Sequence, residues 1–179
     1  FSEATELRLV SEDDTDALFT LIENNRAFLR EWINWLDTVS NRKQCQQLLQ
    51  HYQDTHHNRS AFHLGIFLRP DIQRPVFADI MSVQAFDWHN HKAQLRYWIG
   101  AKFQGRGIAT KAVTQLLDFA FNELGLNRLE IRCALKNHRS QRIPERLGFQ
   151  REGVLREAEW LYDHYVDHIL YALLKKEFV

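Results

Sequence analysis

The sequence predicts an α+β fold with a mixed, mostly antiparallel central sheet of about seven strands. Short stretches rich in β-branched and aromatic residues recur along the chain, and each has the length of one strand. Amphipathic helical patterns precede the first pair of these strands and then alternate with strands in the C-terminal half. The 179 residues include no linker, repeat or low-complexity tract, so we expect a single domain over residues 1–179.

The N-terminal third combines one short strand with three helical segments. Leu7 and Leu9 indicate the strand, and the Ser-Glu-Asp-Asp stretch at 11–14 is a capping box ahead of the first helix. A second helical region is predicted over residues 27–36, and a third, polar and Gln-rich, over residues 42–54. The apolar positions of the first helix are Ala17, Leu18, Leu21 and Ile22.

Three antiparallel strands are predicted in the middle of the chain. Two of them cover residues 62–68 and 76–86 and are separated by an Arg-Pro-Asp turn at 69–71. A polar turn at 87–91 then leads into the third, an aromatic strand over residues 95–99. This order continues the pattern of an α+β fold.

The C-terminal half alternates helix and strand. A long amphipathic helix precedes a strand over residues 128–135, a short helix follows, and two strands over residues 151–159 and 165–175 end the chain. The apolar stripe of the long helix consists of Val113, Leu116, Leu117, Ala120, Phe121 and Leu124.

Composition excludes several classes of protein. The 23 basic and 23 acidic residues balance, so nothing favours non-specific binding of nucleic acid. The longest apolar runs are too short to span a membrane, and no signal-peptide pattern opens the chain, so we expect a cytoplasmic protein. The chain begins with Phe1 rather than Met, so we also expect a few native residues ahead of it.

Neither cysteine nor histidine residues indicate a metal site. Cys45 and Cys133 are too few and too far apart for a disulfide framework or a metal centre. Among the nine histidines, His164 and His168 are four residues apart, but their segment is predicted to be a strand, where that spacing forms no chelate. We therefore expect solvated or turn histidines and no metal.

A glycine loop opens directly into the long helix. Residues 104–109 read Gln-Gly-Arg-Gly-Ile-Ala, and such a loop presents backbone N–H groups to an anion at the positive end of a helix. A Walker loop is excluded because Gly107 is followed by Ile108 rather than Lys. A dinucleotide fingerprint is excluded because Thr110 stands where its third glycine would be. The loop therefore predicts a different phosphate or pyrophosphate ligand.

A second motif follows the next strand. Asn137 is a good N-cap for the short helix, and Ser140 stands three residues after it. Gly148 has the position of a helix-ending glycine, and Phe149 begins the next strand. Taken alone, this segment is also compatible with an ordinary strand–helix–strand unit with normal caps.

Together the two motifs resemble the GNAT family of N-acetyltransferases, which carries Gln/Arg-x-x-Gly-x-Gly/Ala and then Asn-x-x-Ser/Ala, a short helix and Gly-Phe. The order of elements along nearly the whole chain is similar as well. The resemblance implies the acyl-CoA N-acyltransferase fold, with helices on both faces of a sheet that is splayed between its fourth and fifth strands. It also implies acetyl-CoA as co-substrate, with its pyrophosphate in the glycine loop and its amide arm in the splay as a substitute strand. The implied cofactor-binding residues are Trp98, Ile99, Gln104, Gly105, Arg106, Gly107, Ile108, Ala109, Thr110, Asn137 and Arg142.

The catalytic residues implied by the resemblance are Ser140 and Glu159. Many family members place a Tyr proton donor four residues before the Gly-Phe pair, but Pro144 stands there, so the acid role passes to Ser140 as in a subset of the family. Residues 155–161 resemble the Ala-Glu-aromatic-Leu stretch of bacterial ribosomal-protein N-terminal (serine/alanine) acetyltransferases, in which that Glu is the base. Glu157 is the alternative base, and an ordinary surface role for Glu159 is the other alternative.

Residues 30–37 resemble a tryptophan-containing stretch of the same subgroup that overhangs the amine acceptor. This similarity implies Trp32, Trp35 and Leu36 as substrate-binding residues, although packing in the core at helical spacing is an equal alternative.

The function implied is transfer of acetyl from acetyl-CoA to a primary amine, the N-terminal α-amine of a protein such as a ribosomal protein, in one ternary complex. Cys133 lies in an apolar strand and is a poor covalent nucleophile. The alternatives are acetylation of a small amine, such as a polyamine or an antibiotic, and a non-catalytic acyl-CoA sensor. No direct nucleic-acid or membrane partner is expected, and the resemblance also implies a homodimer formed through the last strands.

Overall fold

The computed structural model describes residues 4–69 and 75–178, so Pro70 and Asp71 of the predicted turn lie outside the described residues. The strands are β1 (Ala4–Leu9), β2 (Ala61–Arg69), β3 (Val76–Asp87), β4 (Lys92–Ile99), β5 (Arg128–Ala134), β6 (Gln150–Leu161) and β7 (His164–Leu174). The helices are α1 (Thr15–Arg30), α2 (Arg42–His57), α3 (Ile108–Asp118) and α4 (His138–Arg146).

The seven strands form one sheet in the order β1-β2-β3-β4-β5-β7-β6. The β1–β2, β5–β7 and β6–β7 pairs are antiparallel, whereas β4 and β5 are parallel. The predicted mixed, mostly antiparallel sheet is therefore confirmed.

The fourth and fifth strands are paired over only part of their length. Their register begins at Lys92 opposite Arg128 and ends at Leu95 opposite Ile131. β4 nevertheless continues to Ile99, and β5 continues to Ala134. The pairing thus stops where the splay between these strands is predicted.

The described chain divides into two compact units. One comprises the residues up to Ser82 together with Tyr97–Ala112, and the other comprises Val83–Arg96 and the residues from Val113 onward. In the first unit α1 buries Leu18, Leu21 and Ile22, as predicted, whereas Ala17 is exposed.

The predicted helical region over residues 27–36 is wrong in part. Its first residues belong to α1, which continues to Arg30, and a turn separates α1 from a single 3-10 turn at Leu36–Thr38. The Arg26 guanidinium donates to the carbonyl of Leu36 at 2.9 Å and also to the carbonyl of Val39. These bonds hold the chain in a turn, because they satisfy carbonyls that no longer belong to a continuous helix.

In the second unit, β5 and β7 bury the same face. Opposite residues share a face in an antiparallel pair, and Ile131 lies opposite Tyr171. The buried side chains of this face are Leu129, Ile131, Cys133, Ile169, Tyr171 and Leu173. The stripe of the long helix is buried at Val113, Leu116, Leu117, Ala120 and Phe121, and α3 passes into one π-helical turn at Phe119–Glu123.

Within the two described ranges, no helix has the length and apolar character that crossing a bilayer requires.

Candidate active site

The glycine loop, which belongs to the first unit, has the backbone geometry of an anion-binding loop. Gly105 and Gly107 both have φ of +74°, in the left-handed region that favours glycine. The helix α3 begins at Ile108, and the Lys111 N–H donates to the Gly107 carbonyl at 3.0 Å. Because an α-helix provides no acceptor for the N–H groups of its first turn, the backbone after Gly107 offers donors to an anion. The predicted loop opening into a helix is confirmed.

The start of this loop is anchored to α1 and β3. The Ala101 N–H donates to Asn25 Oδ1 at 2.8 Å, and the Gly100 N–H donates to the Ala78 carbonyl at 3.4 Å. A Cβ at Gly100 would approach Leu21 to 3.0 Å, so the backbone packs closely against α1 at this position. The start of the loop is therefore held by packing and hydrogen bonds, whereas Gly105 and Arg106 are exposed to solvent.

The residues around the loop that the sequence predicts to bind acetyl-CoA differ in exposure. Trp98 and Ile99 are half-buried at the end of β4, and the Gln104 amide donates to the Ile99 carbonyl at 3.4 Å. The Ile108 and Ala109 side chains are buried, which fixes the first turn of α3. Arg106 is exposed and Thr110 is half-buried.

The second motif is built around the N-terminus of α4 in the second unit. Asn137 is the N-cap, as predicted, and its Oδ1 accepts the Ser140 N–H at 3.1 Å. The Ser140 Oγ lies 3.3 Å from the Cys133 Sγ in β5. Gly148 follows the helix with φ of +81°, which confirms it as the helix-ending glycine.

Two buried polar groups fix α4 against the sheet, and sequence reasoning missed both. The Gln141 amide donates to the carbonyls of Ala134 and Leu135, each at 3.0 Å. The Tyr171 hydroxyl donates to Glu145 Oε1 at 2.9 Å, and burial together with this carboxylate raises the pKa of Tyr171 to about 12. Gln141 stands one residue after Ser140, so this anchor holds the serine in place.

The side chain of Glu159 is enclosed and paired with a histidine. Its Oε2 lies 3.1 Å from His168 Nε2, and the two side chains are 16% and 8% exposed. The expectation that His168 is solvated is therefore wrong, because its side chain is buried. His164 does match the expectation, since it is exposed at the hairpin end and contacts Asp163.

A bulge in β6 separates Glu159 from Glu157. Between Leu155 and Glu159 the register with β7 shifts, and Glu157 adopts φ of +49°. The Glu157 N–H donates to Asp167 Oδ1 at 2.8 Å, and its side chain is exposed. The bulge therefore directs Glu159 inward and leaves Glu157, the alternative base, in solvent.

Ser140 and Glu159 lie on opposite faces of the sheet. Successive side chains of a strand point to opposite faces, so Cys133 and Ala134 of β5 face different ways. Cys133 contacts Ser140, whereas Ala134 is opposite His168, the partner of Glu159. The Ser140 hydroxyl and the Glu159 carboxylate therefore lie near the end of β5 on opposite faces of the sheet.

The tryptophan-containing turn belongs to the first unit. Trp32 and Trp35 are half-buried, and the ion pair between Arg30 and Asp37 at 3.0 Å closes the turn that contains them. Leu36 is fully buried, so its side chain has no surface to offer an acceptor and instead supports the turn from the core.

Two further observations concern charge and metals. Arg142 of α4 is exposed, like Arg106 of the glycine loop. Over residues 4–69 and 75–178, no three His, Cys, Asp or Glu side chains are grouped as metal ligands.

Comparisons with known proteins give one consistent result. A sequence model of the acetyltransferase (GNAT) domain matches residues 5–150. The ribosomal-protein-serine acetyltransferase of Escherichia coli (strain K12) is 30% identical over 171 residues, covering 96% of this chain and 93% of its own. The solved structure of RimL, a ribosomal alpha-N-protein acetyltransferase in complex with coenzyme A, is 27% identical with a TM-score of 0.89, covering 97% and 95%. That of a microcin self-immunity acetyltransferase, MccE, with acetyl-CoA and AMP is 27% identical with a TM-score of 0.88, covering 97% and 93%.

Proposed function

The chain belongs to the GNAT acetyltransferase family, and on that basis we propose that it transfers acetyl from acetyl-CoA to the α-amine of a protein N-terminus. The observation that carries this proposal is the enclosed Glu159 carboxylate, whose protein neighbour is His168. The ribosomal-protein-serine acetyltransferase, 30% identical over nearly the full length, supports a protein α-amine as acceptor.

The glycine loop fits the phosphates of the donor. Gly105 and Gly107 have no heavy atom within 4 Å of an added Cβ, so the space beside the backbone is open to a ligand. When bound, acetyl-CoA supplies the thioester-activated acetyl group. The positive charges of Arg106 and Arg142 favour its phosphates. The residues we assign to donor binding are Trp98, Ile99, Gln104, Gly105, Arg106, Gly107, Ile108, Ala109, Thr110, Asn137 and Arg142.

Glu159 is the general base in this proposal. An incoming α-amine is mostly protonated near neutral pH and must lose a proton before it attacks. Glu159 is a carboxylate, so it can accept that proton, and its side chain is only 16% exposed. A backbone N–H group near Trp98 or Ile99 polarises the acetyl carbonyl by donating a hydrogen bond to its oxygen, as in an oxyanion hole.

Ser140 is the general acid that protonates the departing thiolate. Its N–H is fixed by Asn137, and its hydroxyl faces the Cys133 thiol at 3.3 Å. Pro144 occupies the place of the family's usual Tyr, which leaves this serine as the hydroxyl donor of α4. The transfer is direct, with no covalent acyl-enzyme.

We propose Trp32 and Trp35 as substrate-binding residues. Both are half-buried in a turn, so each retains surface for contact with an acceptor, and buried Leu36 supports them. Aromatic side chains offer a large apolar contact area, which suits binding of the first residues of a peptide.

The proposed setting is the cytoplasm, where a ribosomal protein would meet this enzyme. We propose no direct contact with nucleic acid or membrane, and a homodimer formed through β6 and β7. Sedimentation would give 21.3 kDa for a monomer and twice that mass for the proposed dimer.

The first experiment compares Glu159→Gln with Glu157→Gln, a matched control two residues away in the exposed bulge. Because Gln cannot accept a proton, we expect kcat of Glu159→Gln to fall by roughly 10²–10⁴-fold. The affinity for coenzyme A should stay within about twofold, since a base contributes to the transfer step rather than to donor binding. Thiol release and calorimetry give the two quantities, and lost affinity with unchanged kcat would contradict the role.

A second experiment identifies the acceptor. Peptides with free N-termini, a polyamine and an amine antibiotic are offered with acetyl-CoA, and products are identified by mass spectrometry. We expect the highest kcat/KM for a peptide α-amine. A higher value for a small amine would favour the alternative substrate class, and coenzyme A binding without any transfer would favour a sensor.

A further inference from the structure

We propose that His168 is a positioning residue, which holds one oxygen of Glu159 so that the other faces the acceptor amine. This inference rests on the proposed function, since it assigns a task at the same site. It concerns a side chain that sequence reasoning placed in solvent.

The contact is short and enclosed. His168 Nε2 and Glu159 Oε2 are 3.1 Å apart, within hydrogen-bond distance, and at most 16% of either side chain is exposed. Since a carboxylate oxygen only accepts, Nε2 carries the hydrogen and donates it. A donated bond fixes the rotation of the carboxyl group and leaves Oε1 as the oxygen that can accept the proton of the amine.

The bulge in β6 explains why Glu159 requires an anchor on the neighbouring strand. The register shift between Leu155 and Glu159 removes regular backbone pairing immediately before the base. Two consecutive residues of β7 compensate for this loss: Asp167 accepts the Glu157 N–H at 2.8 Å, and His168 contacts the Glu159 carboxylate. Since β7 is paired on both sides, it provides a rigid support for the base.

Burial of the pair also separates it from the other histidine of the strand. His168 lies opposite Ala134 of β5, whereas His164 is exposed at the hairpin end. His164 contacts Asp163, which lies in the hairpin loop and is exposed. The two histidines of β7 therefore provide a test residue and a matched control.

The test compares His168→Leu, His168→Gln and His164→Leu in steady-state kinetics. A Gln amide places a donor near the position of Nε2, whereas Leu fills space without donating. We expect His168→Leu to lower kcat roughly 10-fold or more, with KM for acetyl-CoA unchanged, because misplacement of a catalytic group slows only the transfer step. His168→Gln should return kcat to within about threefold of the parent, and His164→Leu should leave it unchanged.

A double variant and a spectroscopic measurement complete the design. Because His168 acts through Glu159, Glu159→Gln combined with His168→Leu should be no slower than Glu159→Gln alone. In nitrogen NMR of the parent, His168 should show a protonated Nε2 that changes in Glu159→Gln, a readout that needs no acceptor.

Three outcomes would overturn the assignment: parent-like kcat in His168→Leu, no recovery in a folded His168→Gln, or additive losses in the double variant. If the parent transfers acetyl to no amine, the proposed function fails, and the NMR measurement then decides the Glu159–His168 contact by itself.

Discussion

Asp79 is a fully buried carboxyl group in β3, and no side chain among the described residues donates a hydrogen bond to its oxygens. Burial raises the pKa of Asp79 well above its usual value, because the charged form would lose its hydration. The folded protein therefore favours the neutral acid at this position. This preference makes the free energy of unfolding depend on pH.

We expect Asp79→Asn to be more stable than the parent at about pH 8, with the difference vanishing near pH 4. The folded pKa lies above the unfolded value, so the stability linked to this group is present below about 3.8 and is lost as pH rises through the folded pKa. Each unit by which the pKa is raised corresponds to about 1.4 kcal/mol. Urea unfolding across this pH range measures the effect.

The control for this prediction is Asp16→Asn, at an aspartate whose side chain is 81% exposed in a surface ion pair with Arg42. Its effect on stability should stay within about 0.5 kcal/mol. Equal pH slopes for the parent and Asp79→Asn would contradict the prediction.

Single residues were predictable where their roles depend on neighbours in sequence. The cap by Asn137 and the position of Ser140 follow from three residues of spacing, and the structure confirms the cap. The pairing of Glu159 with His168 depends instead on a hairpin register that places Glu159 opposite Val166. In that register His168 is the diagonal neighbour of Glu159 and lies on the same face of the hairpin. The register itself is set by the turn, so the sequence pattern alone did not predict the contact.

At the level of elements, we predict that the N-cap of α4 contributes both to stability and to the proposed activity. We expect Asn137→Ala to lower the free energy of unfolding by about 1 kcal/mol and also to lower kcat, because the Ser140 N–H loses its acceptor. Asn41→Ala is the matched control, since Asn41 caps α2 by accepting the Gln44 N–H at 3.0 Å. Chemical unfolding and transfer assays measure the two quantities.

The control should lose a similar amount of stability while retaining its transfer rate. Equal losses of kcat in Asn137→Ala and Asn41→Ala would mean that general destabilisation, rather than displacement of Ser140, slows the reaction.

The glycine loop leads to a prediction about the donor. At Gly107 and Gly125 an added Cβ meets nothing within 4 Å, and both have positive φ, +74° and +67°. Alanine at either position should therefore cost about 1–2 kcal/mol of stability through backbone strain. We expect only Gly107→Ala to weaken coenzyme A binding as well, by roughly tenfold or more, because relief of the strain moves the N–H groups of the loop.

Calorimetry with coenzyme A compares the two variants with the parent. If Gly125→Ala weakened binding as much as Gly107→Ala, the loop would have no special part in holding the donor.

The existence of most elements could be predicted because each has its own local pattern. The helix α2 was expected over residues 42–54 and extends to His57, and every predicted strand is present. The region over residues 27–36 misled because Trp32 and Trp35 imitate helical spacing. Hydrogen bonds from Arg26 to distant carbonyls override that local pattern, and a sequence pattern contains no information about them.

For the whole molecule, the balance of 23 basic and 23 acidic residues argues against electrostatic attachment to nucleic acid. We expect a generic RNA duplex to bind more weakly than about 10⁻⁴ M at physiological salt, because affinity of this kind comes from released counterions. Fluorescence anisotropy with a labelled duplex measures it. Micromolar binding that weakens with added salt would contradict this prediction.

The strand order is the property of the whole molecule that local patterns could not give. β7 lies between β5 and β6, so the last strand of the chain separates two strands that precede it. Pairing between distant segments depends on the entire core, whereas periodicity describes each segment alone. Only the resemblance to a known family supplied the splay between the fourth and fifth strands.

The bulged strand β6 also has a consequence for behaviour at high concentration. β6 is an outer strand of the sheet, so wherever no partner covers its backbone edge, that edge could recruit another chain and begin ordered aggregation. The left-handed Glu157 and the charges of Arg151, Glu152 and Arg156 interrupt that edge. The irregularity that directs the Glu159 carboxylate inward therefore also protects the molecule against fibre-like association.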